Sequence, residues 1–233
     1  EIQKKELSEV HQICPASKIV VIPLGFDLAR FYTNKEEKRI NFRKEWNIND
    51  DEIAVGIIGR IVPIKDHAFF VNVIEKVLQK TSQKIRVFIV GDGEDKSKIQ
   101  ELIASKKMTY SENNERATFQ FTSWLKEIDH LNAGMDIICL TSKNEGTPVS
   151  LIEAQASGKP IVSTNVGGIE NVIIPNKTGL LSQVGDMNKF SNNLTQLIED
   201  KALRFSMEKF GQKKSLEFSY NKLIENTNSL YSL

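Results

Sequence analysis

Cysteine is scarce in this chain, and neither sign of charge is in clear excess. The two cysteines among 233 residues, Cys14 and Cys139, lie far apart and belong to no Cys-x-x-Cys or Cys/His cluster, which argues against a disulfide scaffold and a zinc site. The 31 basic and 30 acidic residues leave a formal net charge of +1. A dedicated nucleic-acid-binding protein usually has a strong basic excess, so we expect no nucleic-acid partner.

Long apolar runs are also missing. No stretch approaches the roughly 18 apolar residues of a membrane span, and the chain does not open on a signal-like apolar segment. The hydrophobic share of 40% and the charged share of 26% are ordinary for a soluble globular protein. We therefore expect a cytoplasmic protein, or a piece of one.

Apolar, β-branched runs alternate with amphipathic stretches through the middle of the chain. Strands that are apolar throughout suit a parallel sheet covered on both faces, and repeated strand–helix units predict a doubly wound, Rossmann-like α/β fold. The predicted strands are 53–58, 85–90, 117–121, 136–140 and 160–163, and the helices among them are 69–78, 96–106, 126–131 and 150–156.

The two ends of the chain have a different pattern. Residues 1–18 are typical of the end of a helix followed by a polar turn, residues 17–22 of an isolated strand, and residues 37–46 of a helix. No further clear strand is predicted after about residue 186, where three helices follow at 187–198, 202–217 and 220–230.

Two cations stand on the loop after the first strand of the sheet. Arg60 and Lys65, in Gly59-Arg-Ile-Val-Pro-Ile-Lys65, lie at the edge where open α/β sheets bind ligands. Both can reach one anion, the arginine as a planar fork and the lysine as a point charge, which suits phosphate oxygens. The alternative is a pair of solvated surface cations.

Glycine turns follow several of the predicted strands. In Gly91-Asp-Gly93, glycines permit a tight turn and a close approach of the backbone to a ligand. The full Gly-x-Gly-x-x-Gly fingerprint and the P-loop sequence are both absent, which disfavours a dinucleotide dehydrogenase and a P-loop nucleotidase. Two further turns, Gly158-Lys-Pro160 and Val166-Gly-Gly168, either border a ligand or are ordinary turns.

The segment Glu145-Gly-Thr-Pro-Val-Ser-Leu-Ile-Glu153 follows the fourth strand and opens a helix. Pro148 is a typical first-turn residue, and the free N–H groups from Thr147 to Ser150 are ready to bind an anion. Ionised carboxylates only accept hydrogen bonds, so Glu145 and Glu153 suit recognition of hydroxyl-rich groups. The alternative is that Glu145 caps the helix and Glu153 is solvated.

The aromatic and imidazole side chains carry weaker signals. We interpret His11 as a surface residue, and His67 and His130 as structural rather than catalytic residues. Trp124 follows the third strand, where it either shapes a base pocket or simply packs. No Asp-x-Asp pair follows a strand as a metal–diphosphate clamp requires, so no metal is expected.

Taken in order, these motifs resemble those of family 4 retaining glycosyltransferases. The resemblance spans residues 17–232 and rests on Gly59-Arg60-x4-Lys65, Gly91-Asp-Gly93, Glu145-x7-Glu153 and residues 157–168. Residues 22–27 with Phe31 resemble the connection between that family's domains. The resemblance implies a GT-B fold, in which two Rossmann-like domains face a cleft, and this chain corresponds to the second. The first would need roughly another 150–200 residues, so we expect a fragment of a larger enzyme that is inactive alone.

The resemblance also implies a division of the chain and a role for each site residue. Residues 1–31 would be a remnant of the first domain with the linker, 32–216 the nucleotide-sugar-binding domain, and 217–233 a helix returning toward the first domain. Arg60, Lys65 and Glu145 would form the catalytic set. The donor-binding set would be Gly59, Gly91, Gly93, Trp124, Leu125, Gly146, Thr147, Pro148, Val149, Ser150 and Glu153.

By this resemblance the substrate is a nucleotide-diphosphate sugar, UDP-linked rather than GDP-linked, and the reaction needs no cofactor or metal. The acceptor would be a sugar or lipid-linked glycan held by the first domain, in surface-polysaccharide or glycolipid synthesis. The full enzyme could contact the inner face of the plasma membrane peripherally.

Three departures from the family pattern leave the sugar and the base open. Asp66 and Thr122 stand where glycine is frequent, and Thr147-Pro148 replaces a commoner Phe-Gly pair. The alternatives are a sugar-nucleotide epimerase or a phosphorylase-like enzyme of the same fold, and a non-catalytic nucleotide-sugar-binding module.

Overall fold

The computed structural model describes residues 2–232, and its centre is one sheet of seven strands. The strands are β1 (Glu52–Ile58), β2 (Lys84–Val90), β3 (Tyr110–Ser111), β4 (Phe119–Ser123), β5 (Ile137–Leu140), β6 (Ile161–Thr164) and β7 (Gly179–Ser182). Their spatial order is β3-β4-β2-β1-β5-β6-β7, and each neighbouring pair is parallel.

Helices connect successive strands except β3 and β4, which are joined by the loop of residues 112–118. The α-helices are α1 (Ile2–Lys5), α2 (Ala29–Tyr32), α3 (Lys35–Glu45), α4 (His67–Leu78), α5 (Lys96–Ser105), α6 (Ile128–Gly134), α7 (Val149–Ala156), α8 (Ile169–Val172), α9 (Met187–Glu199), α10 (Lys201–Ser215) and α11 (Tyr220–Tyr231). A π-helical turn covers Glu6–Val10, and 3-10 turns cover Ala16–Lys18, Pro63–Lys65 and Leu216–Phe218. Among these described helices, none has the length and apolar character needed to cross a membrane.

The core consists of two hydrophobic layers, one on each face of the sheet. Val55 and Ile57 of β1 belong to a cluster with residues of α4, α5 and α9, whereas Ala54 and Ile58 belong to a cluster with residues of α3, α6 and α7. Successive side chains of a strand point to opposite faces, which explains why β1 is apolar throughout. The predicted doubly wound, Rossmann-like fold is confirmed.

The connection order reverses at the middle of the sheet. β1 pairs with β2 on one side and with β5 on the other, although β5 comes much later in the chain. Helices therefore leave this point toward opposite faces, and a crevice opens outside the carboxyl ends of the two strands. Open α/β sheets bind their ligands at such a switch point.

The strand predicted over residues 17–22 is wrong. After the turn at Ala16–Lys18 the backbone is extended, but no described strand pairs with it, and Val20 and Val21 are 57% and 41% exposed. Phe26 bonds to the end of the domain: its N–H donates to the Phe218 carbonyl (2.8 Å) and its carbonyl accepts from the Tyr220 N–H (3.2 Å). Local β propensity cannot supply the neighbour that a strand needs.

Candidate functional site

The loops after β1 and β5 are joined to each other at the switch point. The Thr141 hydroxyl donates to the carbonyls of Lys65 (2.8 Å) and Asp66 (3.1 Å). The Lys143 N–H donates to the Ile64 carbonyl at 2.8 Å. The structure therefore brings the cation-bearing loop and the start of the Glu145 segment together, as their positions at neighbouring strand ends predict.

Glu145 is held by two donors. Its Oε1 lies 2.5 Å from Lys65 Nζ, and the Ser142 hydroxyl donates to the same oxygen at 2.5 Å. The side chain of Glu145 is 9% exposed and that of Lys65 25% exposed. No side chain caps α7, so the alternative role of Glu145 as a helix cap is wrong. The carboxylate and the ammonium form an ion pair within the crevice.

The backbone around Glu145 is fixed by the Gly167-Gly168 turn. The Gly168 N–H donates to the Glu145 carbonyl at 3.0 Å. A Cβ atom on Gly167 would lie 1.9 Å from that carbonyl oxygen, and one on Gly168 would lie 2.0 Å from the Gly146 carbonyl oxygen. The sequence left open whether this turn borders a ligand or is an ordinary turn. In the structure it packs against the backbone of the Glu145 segment. A Cβ on Gly146 would meet nothing within 4 Å, so this residue borders open space.

The helix that follows, α7, begins at Val149, one residue before the predicted start at residue 150. Pro148 is its extended N-cap residue (φ −77°, ψ 90°) rather than a first-turn residue. The carbonyl of Pro148 accepts from Leu151 (3.0 Å) and Ile152 (3.3 Å). The N–H groups of Val149 and Ser150 lie in the first turn, where an α-helix offers them no acceptor. They remain free for a ligand oxygen.

Glu153 differs from Glu145 in its surroundings. It lies within α7, and its carboxylate makes no hydrogen bond to the described residues. Burial raises its pKa from 4.5 to about 7, while the positive charge of Arg30 lowers the pKa and the negative charge of Asp129 raises it. The alternative of a fully solvated Glu153 is therefore wrong. Its oxygens are partly buried acceptors without a donor among the described residues.

Arg60 is exposed on the loop after β1, with no hydrogen-bond or ion-pair partner in the described part of the chain. This loop packs tightly on the one after β2. A Cβ atom on Gly91 would lie 2.1 Å from the Gly59 carbonyl oxygen, and one on Gly93 would lie 2.3 Å from the Ile61 carbonyl oxygen. The close approach predicted for these glycines is thus an approach to neighbouring backbone. This packing fixes the position of the loop that carries Arg60.

Trp124 stands at the rim of the same region. It is 59% exposed, and its Cη2 atom would lie 3.3 Å from a Cβ atom on Gly91. Leu125, by contrast, packs against the core layer that contains α3. An indole that is largely exposed beside the Gly91 turn favours contact with a ligand over plain packing.

Sequence reasoning missed two supporting contacts. Ser142 orients Glu145, and Lys143 pairs with Asp66 (Nζ to Oδ2, 3.1 Å). The one available signal was a pair of hydroxyl residues, Thr141-Ser142, directly after a strand. Asp66 itself has left-handed backbone (φ 50°, ψ 50°) and accepts from the Phe69 N–H to cap α4. Asp tolerates this conformation better than most residues, which explains how it replaces a frequent glycine.

Comparison with known proteins identifies a family and several relatives of similar sequence. The family described as Glycosyl transferases group 1 matches residues 38–214. An Escherichia coli protein named UDP-Gal:alpha-D-GlcNAc-diphosphoundecaprenol alpha-1,3-galactosyltransferase is 27% identical over 92% of this chain and 54% of its own length. The N-acetyl-alpha-D-glucosaminyl L-malate synthase of Bacillus anthracis is 26% identical over 97% of this chain and 56% of its own. The chain thus spans about half the length of the curated relatives it matches.

Solved structures agree with this assignment. A TarM variant from S. aureus, crystallised with Fondaparinux, alpha-GlcNAc-glycerol and UDP, is 26% identical over 78% of this chain and 36% of its own, with a TM-score of 0.68. Anabaena HepE in complex with UDP and glucose shares the fold, with a TM-score of 0.81 at 21% identity over 99% of this chain and 61% of its own. The chain belongs to the group 1 glycosyltransferases.

Proposed function

We propose that this chain binds the nucleotide-diphosphate sugar of a retaining glycosyltransferase. The observation that carries the proposal is the pairing of Lys65 with Glu145 at the switch point of the sheet. One member is a cation suited to a phosphate oxygen, and the other is an acceptor suited to a sugar hydroxyl. A ligand that carries a phosphate beside a sugar meets both.

The diphosphate would lie between Arg60, Lys65 and the start of α7. Negative charge grows on the diphosphate as it leaves the sugar, and prearranged donors that stabilise developing charge are often the largest catalytic term. The free N–H groups of Val149 and Ser150, with the open backbone at Gly146, add dipoles of the right sign. In this proposal these groups do the work that a divalent metal does in other transferases.

Each of the remaining site residues would contact a different part of the donor. Glu145, held by Ser142 and Lys65, accepts from hydroxyls of the transferred sugar and fixes its anomeric carbon. Glu153 accepts from the ribose hydroxyls. Trp124 and the backbone of Leu125 contact the base. UDP is the preferred nucleotide, since the E. coli relative is named for UDP-Gal and the S. aureus structure holds UDP.

Retention of configuration follows from attack on the face that the phosphate leaves. The bond from the anomeric carbon to the diphosphate oxygen breaks, the acceptor oxygen bonds to the same carbon, and the acceptor proton passes to the departing phosphate oxygen. No protein nucleophile is assigned. The acceptor, a sugar or a lipid-linked glycan, would be held by a preceding domain of a longer protein, with products in surface-polysaccharide or glycolipid synthesis. The E. coli relative is named for a diphosphoundecaprenol-linked acceptor.

The first prediction tests the diphosphate site. Arg60→Ala should weaken UDP binding by roughly 1.5–3 kcal/mol, the range for hydrogen bonds to charged groups, and should leave uridine binding unchanged. Isothermal titration calorimetry with UDP, GDP and uridine, each with and without EDTA, measures this. Lys213→Ala, an exposed lysine on α10, is the matched control. UDP binding that disappears on chelation, or an equal loss for uridine, would contradict the proposal.

A further inference from the structure

A cavity of about 280 Å³ lies outside the donor crevice. Its walls come from α3, from the turn between α7 and β6, and from the first turns of α10. Asp136 and Pro160, which line it, directly precede β5 and β6. Because the strands are parallel, the cavity therefore opens at the edge of the sheet opposite the crevice. Its volume is close to the lower end, about 300 Å³, of small-molecule sites.

The lining of this cavity is basic. Two of its three carboxylates already have protein cations as partners, since Asp136 pairs with Arg39 (2.8 Å) and Glu208 pairs with Lys35 (3.0 Å). Lys201 is exposed, with no ion-pair partner in the described part of the chain. The cations outnumber the carboxylates by two. The lining cations are Lys35, Arg39, Lys159, Lys201 and Arg204, and the carboxylates are Glu36, Asp136 and Glu208.

A buried hydroxyl in the wall lacks a partner. Ser157 is 3% exposed, and its Oγ makes no hydrogen bond with the described residues. A buried polar group without a hydrogen bond is costly, which is why most such groups have one. Ser157 lies next to Gly158, where a Cβ atom would lie 2.6 Å from the side chain of Glu208. The backbone of this turn therefore closes tightly on α10, and the hydroxyl of Ser157 is enclosed within the wall.

Lys159 supplies a largely buried donor to this cavity. Its Nζ donates to the Ala133 carbonyl at 2.9 Å, and an ammonium group has two further donors. Burial, and after it the charge of Arg39, lower the pKa of Lys159 to about 8 against the opposing effect of Asp136 and Glu208. An anion in the cavity would favour the charged form of this lysine.

We propose that this cavity is a phosphate-binding site, in which Lys159 and Lys201 donate to the phosphate oxygens. A phosphate presents three acceptor oxygens and between one and two negative charges, which matches two ammonium donors in a lining with an excess of two positive charges. Phe205, at the mouth of the cavity, is 58% exposed and can cover an apolar substituent. The shared chemistry is thus a phosphate ester, from a free compound or from a lipid headgroup.

Nitrogen-15 NMR locates the site. Titration of this chain with sodium phosphate, against sodium chloride at matched ionic strength, should give saturable amide shifts at residues 157–159 and 201–205. Lys201→Ala should weaken the fitted affinity at least threefold and leave UDP binding unchanged. Lys213→Ala, on the same helix outside the cavity, should behave as the unmodified chain. Shifts confined to residues 59–65 and 146–150, or shifts that fail to saturate, would overturn the proposal.

Two further arms separate the sources of the phosphate. Glycerol 3-phosphate represents the free ester, and vesicles of phosphatidylglycerol in phosphatidylcholine represent the headgroup, with pure phosphatidylcholine as the control. Binding of the soluble ester without vesicle sedimentation assigns a free ligand. Sedimentation with phosphatidylglycerol vesicles that Lys201→Ala abolishes assigns a headgroup. If neither arm shows binding sensitive to Lys201→Ala, the cavity is not a phosphate site.

Discussion

Glu145 and Glu153 belong to one short segment but have opposite electrostatic surroundings. Glu145 accepts from Lys65 and Ser142, so its charge is compensated within the protein. Glu153 has no described donor, and burial raises its pKa to about 7. The two carboxylates should therefore respond in opposite ways when their charge is removed.

The second prediction concerns Glu153→Gln. The folded-state pKa lies above the ordinary value of 4.5, so the folded chain loses stability as pH rises through about 7 and this carboxylate becomes charged. Glutamine carries no such charge, and the variant should melt a few degrees higher than the unmodified chain at pH 8 but not at pH 5. Scanning calorimetry at the two pH values measures this, with about 2–4 °C expected for each kcal/mol.

Glu145→Gln is the matched control for that experiment. It removes the counter-charge of Lys65, so it should not stabilise the chain at pH 8. The order for UDP affinity should be the opposite of that for stability. Glu153→Gln should bind UDP more weakly than Glu145→Gln, because Glu153 is proposed to hold the ribose whereas Glu145 is proposed to hold the sugar that UDP lacks. If both variants show the same pH dependence and the same UDP affinity, the assigned roles are wrong.

Among the elements, the loops after β1 and β2 depend on glycine for their mutual packing. The third prediction is that Gly93→Ala destabilises the chain by about 1–3 kcal/mol, the usual cost of overpacking, because its Cβ would lie 2.3 Å from the Ile61 carbonyl oxygen. The displaced loop carries Arg60, so UDP affinity should fall as well. Urea unfolding and calorimetry measure the two effects.

Gly146→Ala provides the contrast at this scale. A Cβ atom there meets nothing within 4 Å, so the free energy of unfolding should change little. Any effect on UDP binding would then arise from the ligand rather than from the fold. A loss of stability equal to that of Gly93→Ala would show that loop packing is not what the Gly93 position requires.

The central strands could be predicted from the sequence because burial on both faces demands continuous apolar runs. β1 is such a run after Glu52, and β2 is one from Val87 onward, with Arg86 as a buried charged exception before it. β3 has only two residues, too few for any periodicity, and β7 reads Gly-Leu-Leu-Ser without β-branched residues, so neither was predicted. The strand predicted at residues 17–22 is wrong for a different reason. Its composition suits a strand, but pairing depends on a neighbour that local sequence does not encode.

The candidate site could be predicted from the sequence only in part. Loops that follow neighbouring parallel strands meet at one edge, so the approach of Lys65 to Glu145 follows from topology. The contacts that orient them, from Ser142 and from the Gly167-Gly168 turn, depend on packing between separate loops. The basic cavity could not be predicted, since its residues come from four distant segments and no motif unites them.

At the scale of the whole molecule, exposed apolar side chains gather on the two terminal segments. Val20 and Leu24 are each 57% exposed, and on α11 Tyr220 and Ile224 are 53% and 57% exposed. These segments meet where Phe26 pairs beside Ser219. Where such side chains adjoin in one patch, they usually mark an interaction site.

The last prediction is that this chain alone binds the donor but transfers no sugar. Transfer requires an acceptor within about 3–3.5 Å of the anomeric carbon in attack geometry, and in the proposed function a domain outside these residues holds the acceptor. Water in an open crevice also weakens the charge interactions that the leaving diphosphate needs, since a pair at 4 Å gains about 1 kcal/mol in water against about 4 kcal/mol near a protein surface. Calorimetry should therefore detect UDP binding in a sample that, incubated with UDP-sugars and a panel of sugar and lipid-linked acceptors, yields no glycoside by chromatography. Transfer by these 233 residues would place the acceptor site within them and overturn the assignment of this chain to the donor side of the cleft.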